Sequence, residues 1–452
     1  MRDISETKRP KVVIIGGGFG GLWAAKALAK KRVDVTLVDR KNHHVFQPLL
    51  YQVATAVLSP GEIAQPIRRI LHKYRNIEVI LGEAAGFDKD NNIVTLADGS
   101  EIGYDYLIVA AGARHSYFGH DEWERTAPGL KTLEDAVEIR RRVLLAFELA
   151  ERDAYLTGVQ RQLNFVVVGG GPTGVELAGA IADIARKALA KDFKAIDTRE
   201  AHVILLEGSD KILGTFGHDL SESAKVQLES LGVEVCLNSF ATAVEPGRIR
   251  VGDKWIDCDV VLWATGVAAS PLGKVLGVET DKAGRVLVEP DLTVKGYKNL
   301  FVIGDMASIT QENGEPVPGV SPAAMQMGTN AAENILRDIK SEAREKFVYW
   351  DKGSLATIGR RKAIAQVAGL RLKGLIAWLA WLFIHIFFLI GFRNRLAVMT
   401  DWFWAYLTRE RSARLITGDA EELRATKDFV SHAPNKEDAT ELAARKASNL
   451  VS

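Results

Sequence analysis

Cysteine is almost missing. The 452-residue chain has two, Cys236 and Cys258, which are too few for a disulfide framework and too far apart for a C-x-x-C site. That excludes a dithiol partner for a flavin and fits a reducing compartment. A charge excess of either sign is also missing. Lys and Arg number 58 against 57 Asp and Glu, so no nucleic-acid partner is expected. No apolar h-region precedes the first apolar run, and no signal peptide is read. His43 and His44 stand side by side without a third ligand in view. Metal sites need three or four ligands, so both read as loop or core histidines and no metal is expected.

Glycine is present in a pattern. Residues 12–15 are Val-Val-Ile-Ile, a buried strand. Gly16, Gly18 and Gly21 follow in the G-x-G-x-x-G spacing, then a helix, then a strand closing in Asp39. The first glycine permits a tight turn, the second lets a pyrophosphate approach the backbone, and the third lets helix and strand pack closely. The helix N-terminus offers N–H groups and a positive dipole end to phosphate. Asp39 lies 39 − 16 = 23 positions after the first glycine, close to the ~20 expected for a carboxylate on a ribose 2′-OH.

The pattern recurs. Strand 165–168 precedes Gly169, Gly171 and Gly174, and strand 203–206 closes in Glu207. Two nucleotide-binding halves are therefore expected in an α/β chain. The second acid stands 207 − 169 = 38 residues from its first glycine, so residues 190–201 extend the helix or add a loop. Strands 106–112 and 260–266 end in Gly112 and Gly266, and strand 293–305 in Gly304-Asp305. Ligands bind at such carboxyl ends, which makes these residues candidate cofactor contacts. Residues 63–74 and 132–150 read as helices, the second with Arg140, Arg141 and Arg142 on a solvated face. Ser321-Pro322 reads as N-cap and first helical residue.

Charge is absent from one stretch. Residues 374–392 contain no Asp, Glu, Lys or Arg. A helix there would reach roughly 28 Å at ~1.5 Å per residue, the border of a bilayer span. Trp378, Trp381, His385 and Phe388 share one face. Arg371 and Lys373 flank one end, Arg393 and Arg395 the other. Trp402, Phe403, Trp404 and Tyr406 with Arg409, Arg411 and Arg414 continue the aromatic-basic mixture of interfacial helices. The segment is expected to span a bilayer or lie in its interface, the alternative being a buried core helix or a dimer interface.

Residues 10–415 resemble the type II NADH dehydrogenases, the non-pumping NADH:quinone oxidoreductases. The resemblance rests on GGGFGG, VDRKNHHVFQPLLYQVAT, VVVGGGPTGVELAG, LFVIGD, PAAMQMG and AWLAWLFIHIFFLIGFRNR. It implies two Rossmann-like domains, the NADH domain inserted into the FAD domain, and a C-terminal helical membrane-anchoring region. In these terms residues 1–125 and 286–345 form the FAD domain, 126–285 the NADH domain, 346–416 the anchor and 417–452 a polar tail. It further implies FAD held through Gly16, Gly18, Gly21, Asp39, Arg40, Gly112, Gly304 and Asp305. NADH would be held through Gly169, Gly171, Gly174, Glu207 and Gly266. Glu176 and Gln326 match catalytic positions beside the nicotinamide–flavin stack and in the quinone motif. Ser321 and Pro322 stand where that motif usually has Ala and its first Gln. A membrane quinone (ubiquinone or menaquinone) is the implied acceptor, the cytoplasmic face of the inner membrane the implied location, and a homodimer the form of many relatives. A sulfide:quinone oxidoreductase would need redox cysteines near the flavin. A nicotinamide-binding sensor would turn over slowly.

Overall fold

The computed structural model describes residues 9–367, 369–408, 411 and 413–416. The first eight residues, Arg409 and the polar tail expected at 417–452 lie outside the described residues. The chain divides into two compact units.

The first unit comprises residues 1–45, 64–115 and 267–352. Its six-stranded sheet runs Thr293–Val294, Tyr297–Val302, Tyr106–Val109, Lys11–Ile15, Asp34–Asp39, Ile77–Leu81. All neighbours pair in parallel except the two-residue edge strand. Val12 to Ile15 are all buried, as parallel strands covered on both faces must be. The helix Phe19–Leu28 makes the first crossover. The helix Ser321–Ile339 packs on it so closely that a Cβ on Gly328 would lie 2.2 Å from the Gly20 carbonyl oxygen.

The second unit comprises residues 46–63, 116–266 and from 353 onward. Its parallel sheet has the order Val233–Cys236, His202–Leu206, Asn164–Val168, Val260–Trp263. This repeats the order of the last four strands in the first unit, read from the other edge. The helix Pro172–Asp183 follows the central strand and passes into a π-turn at Ile184–Ala188. The additional residues before Glu207 are thus a helix extension, a loop and the 3-10 turn Thr198–Glu200.

The C-terminal three-stranded sheet Ser354–Gly359, Lys362–Val367, Leu370–Lys373 lies against the helix Pro172–Asp183. The helices Gly374–Phe388 and Phe392–Thr408 complete the unit.

Several local expectations change. The helix expected at 63–74 is the short helix Ile67–Leu71, because Ala64–Pro66 pairs as a strand with His43–Val45. Ser321 is the first helical residue; Val320 is the N-cap and forms no side-chain cap. Arg140 is 7 % exposed, because the helix Leu133–Thr157 packs against both the Leu50–Ala54 helix and the strand Val260–Trp263. Arg141 and Arg142 both bond Glu138. The apolar stretch ends its helix at Phe388, since Leu389 is extended and Gly391 sits at φ 93°.

Candidate active site

The first glycine turn is built by close approach. Gly16 has φ +103°, and a Cβ there would lie 2.4 Å from the Ala110 carbonyl oxygen. A Cβ on Gly21 would lie 1.8 Å from the Gly16 carbonyl oxygen. Gly18 differs: nothing lies within 4 Å of its Cβ direction. It opens the helix Phe19–Leu28 without a side-chain cap, so the turn presents bare backbone to open space.

Asp39 ends its strand beside this turn. Its Oδ2 accepts from the Gly17 N–H at 2.5 Å and its Oδ1 from the Lys41 N–H at 2.7 Å. Arg40 forms an exposed ion pair with Glu83 at 3.9 Å. Gly112 and Gly304 both have positive φ. The Gly304 N–H donates to Met327 Sδ at 3.2 Å, and Asp305 follows in the short 3-10 turn Gly304–Met306.

In the second unit the geometry repeats. A Cβ on Gly174 would lie 1.8 Å from the Gly169 carbonyl oxygen, and Gly171 faces open space. Glu207 Oε2 accepts from the Gly170 N–H at 2.6 Å, and Oε1 from the Ser209 N–H at 2.8 Å. The longer sequence spacing therefore leaves the acid at the same place relative to its turn as Asp39. Gly266 has φ +72°, and a Cβ there would meet the Phe118 ring and the Ser116 carbonyl oxygen.

Glu176 lies one turn into the helix Pro172–Asp183 and lines a cavity of about 90 Å³. Tyr51, Gln52, Thr357, Trp381, Tyr406 and Arg411 line the same cavity. Burial pushes the Glu176 carboxyl up to about 8, only partly offset by a hydrogen bond from the Thr357 backbone. At neutral pH it holds its proton. Asp183, on the same helix, faces the other way energetically: although burial opposes it, Arg411 at 2.8 Å and Lys187 keep its carboxyl below the usual range.

A chain of polar contacts runs through the cavity wall. Trp402 Nε1 donates to Gln52 Oε1 at 2.7 Å, and Gln52 Nε2 donates to the Tyr51 hydroxyl at 2.9 Å. Burial raises the Tyr51 phenol well above its usual range, and the nearby Glu176 adds to this. Trp381 is 1 % exposed, and its indole Nε1 is buried with no partner. His385 stacks on that indole at 4.2 Å and donates from Nδ1 to the Trp381 carbonyl at 2.7 Å. Burial lowers its pKa to about 4, so the ring is neutral.

Gln326 is occupied. Its Nε2 donates to the Trp350 carbonyl and its Oε1 accepts from the Trp350 N–H, both at 3.0 Å. Its amide is spent on tethering the strap before residue 353. His44 is a core residue, 3 % exposed, with Nδ1 on the Gly17 carbonyl at 3.0 Å. Among the described residues no group of His, Cys, Asp and Glu could hold a metal ion. Burial, with nearby acids, pushes the Cys236 and Cys258 thiols up to about 11 and 12, which makes both poor thiolate nucleophiles.

Sequence reasoning missed Tyr51, Gln52 and Trp381 as cavity residues. The signal was there in the aromatic, apolar character of residues 42–55 and in the Trp378–Trp381–His385 face. The pairing of these two stretches, over 300 residues apart, was not legible.

Residues 10–328 match the family described as pyridine nucleotide-disulphide oxidoreductase, and residues 351–410 match the NDH2 C-terminal domain. The chain is 47% identical over 426 residues to the type II NADH:quinone oxidoreductase NdhA of Mycobacterium tuberculosis, covering 90% of each chain. The chain belongs to the type II NADH:quinone oxidoreductase family. A second relative in that family, Ndh of the same organism, is 44% identical over 91% of each chain. The structure of NDH2 from Plasmodium falciparum in complex with NADH superposes with a TM-score of 0.82 at 20% identity, covering 91% of this chain and all of that one. The sulfide:quinone oxidoreductase of Aquifex aeolicus matches with a TM-score of 0.68, over 93% of this chain and 96% of that chain. At 20% identity it shares the fold, and the raised thiols above speak against shared cysteine chemistry in this member of the type II family.

Proposed function

We propose that this chain is a membrane-associated flavoenzyme that oxidises NADH and reduces a membrane quinone without moving protons across the membrane. The observation that carries this is the doubled turn: two uncapped helix starts, each with a glycine facing open space and a carboxylate fixed beside it. Only a ligand bringing phosphate and a ribose uses all three features. FAD, when bound, supplies a two-electron carrier between NADH and the quinone.

Two Rossmann-like domains, the NADH domain inserted into the FAD domain at about the boundaries expected from the sequence, are the layout we favour. The residues present suit FAD in the first unit. Gly16, Gly18 and Gly21 would admit its pyrophosphate, with Asp39 and Arg40 at the adenosine end. Gly112 and Gly304 would allow close passage, and Asp305 would take a ribityl hydroxyl. In the second unit Gly169, Gly171 and Gly174 would admit the NADH pyrophosphate, with Gly266 at the far strand end. Glu207 would accept from a ribose 2′-OH and repel a 2′-phosphate, favouring NADH over NADPH.

The cavity at Glu176 suits a quinone headgroup. Trp381 lines the cavity and has a buried indole N–H with no partner, and an acceptor oxygen is what such a donor lacks. Glu176 holds a proton near neutral pH for the anion that two-electron reduction leaves. Gln326 acts at one remove, by positioning the Trp350 strap.

No described helix is long and apolar enough to cross a membrane. The 15-residue helix Gly374–Phe388 extends about 22 Å, against ~30 Å of hydrocarbon. Its buried face is Ala377, Trp378 and Trp381; Leu375, Ile376, Leu379, Phe383 and Phe387 are exposed. Leu396, Met399, Phe403 and Leu407 are exposed on the next helix. Such a face supports a foot lying in the interface, on the cytoplasmic side of the inner membrane. Coverage by a second copy is the competing outcome.

The test is anaerobic stopped flow on detergent-purified protein. Flavin absorbance should bleach on NADH addition and recover on addition of a short-chain quinone. Bleaching without recovery would overturn the quinone assignment.

A further inference from the structure

The two nucleotide turns differ at one matched pair of positions. In the first unit the Gly82 N–H donates to the Asp39 carbonyl at 2.9 Å; in the second, the Ser239 N–H donates to the Glu207 carbonyl at 2.9 Å. These bonds align the two units. Two residues later begin the strands Ala84–Asp88 and Ala241–Glu245, which carry the same bulge at their second residue. The residues after the acids are therefore Arg40 and Gly208. Those after the donors are Glu83 and Phe240.

In the first unit this pair is the exposed ion pair Arg40–Glu83. In the second it is a glycine under an aromatic ring. A Cβ on Gly208 would lie 2.4 to 2.9 Å from three ring carbons of Phe240, so the ring rests flush on bare backbone. The ring is nonetheless 67% exposed. An exposed phenylalanine costs solvation free energy unless something covers it.

We infer that Phe240 is the stacking platform for the adenine of the nicotinamide nucleotide. The inference rests on Glu207 being the ribose acceptor of NADH. The ribose whose 2′-OH meets that carboxylate is the one bearing adenine, so the base lies within a few bonds of residue 207. Phe240 is tied to Glu207 through the Ser239 bond, and it offers an apolar face to the π-face of a purine. Gly208 supplies the clearance that keeps the ring lying over the backbone. The positions carry no charge, so recognition here is of the base and not of phosphate.

The test uses full-length, FAD-loaded protein with Phe240→Ala and Phe240→Tyr. The readouts are ADP-ribose affinity by calorimetry, kcat and KM for NADH and for reduced nicotinamide mononucleotide, which lacks the adenosine half, and the thermal midpoint. Phe240→Ala should weaken ADP-ribose about tenfold and raise KM for NADH by a similar factor. The kcat should stay within about twofold and KM for the mononucleotide should not move. Phe240→Tyr should restore both. The thermal midpoint of each variant should match the parent, because the ring is exposed. ADP-ribose affinity unchanged in Phe240→Ala, or equal losses for NADH and the mononucleotide, would overturn the inference alone. Parent protein that does not bind ADP-ribose would overturn the underlying assignment of Glu207 as well.

Discussion

Glu176 shows how much a single residue depends on surroundings that its local sequence does not reveal. Its carboxyl is raised to about 8 from an ordinary 4.5 by burial. A raised native pKa means that the folded chain binds the proton more tightly than the unfolded chain. The group's contribution to stability is then complete below about pH 4.5 and is lost as pH rises through about 8. We expect Glu176→Gln to melt with the parent near pH 5 and above it near pH 8. The parent should lose at most about 1.4 kcal/mol per pH unit across that window relative to the variant. Thermal melts at matched pH check this, and parallel curves would refute it. The same variant should lose at least about tenfold in quinone turnover while retaining FAD. Glu207 makes a separate residue-scale prediction. Glu207→Ala removes the charge that repels a 2′-phosphate, so kcat/KM for NADPH should rise at least about tenfold relative to NADH. Steady-state kinetics with both nucleotides decides it.

At the scale of elements, the helix Pro172–Asp183 is held against the C-terminal sheet by the absence of a side chain. A Cβ on Gly179 would lie 2.0 Å from the Ile358 carbonyl oxygen. Gly179→Ala should destabilise by about 2 kcal/mol or more, read as a lower urea midpoint at unchanged slope. It should also disturb the Glu176 cavity, since Thr357, Ile358 and Gly359 line it. The C-terminal helix pair makes a different prediction. Arg395 is not a free membrane anchor: it bonds the carbonyls of Leu389 at 2.7 Å and Phe387 at 2.8 Å, closing the end of the helix Gly374–Phe388. Vesicle binding should therefore depend on the apolar face. Phe383→Asp with Phe387→Asp should cut vesicle co-sedimentation at least about fivefold while NADH-driven flavin bleaching persists. Unchanged sedimentation with a change from dimer to monomer would assign the face to a second copy instead.

For the whole molecule, the expected outcome is electron transfer without charge translocation. No described helix is long and apolar enough to cross a bilayer, and Tyr51, Glu176, Asp183, Tyr406 and Arg411 line a single cavity of the second unit. In sealed proteoliposomes, NADH oxidation with quinone should change lumenal pH by no more than the scalar chemistry requires. A larger gradient, collapsed by an uncoupler, would contradict this.

Patterns local to the chain were legible in the sequence. The two glycine turns, their strands and both acids follow from short-range rules: where backbone approaches backbone, only glycine fits, and a parallel strand buried on both faces is apolar throughout. Even the long gap to Glu207 resolved: the helix extension stops at Ala188, and residues 190–201 are a loop and a 3-10 turn, while strand pairing with Asn164–Val168 fixes where the acid ends. The length of the C-terminal apolar stretch was also legible, but its division at residues 389–391 was not, since it depends on an extended Leu389 and a left-handed Gly391. Tertiary structure alone decided which groups lost their water and which found partners. It buried Arg140, tied the Gln326 amide to the Trp350 backbone, and brought Tyr51 and Gln52 against Trp381 and Trp402. It also left one indole N–H without an acceptor. Desolvation and hydrogen-bond pairing are properties of a place in space, and residues three hundred positions apart define that place together.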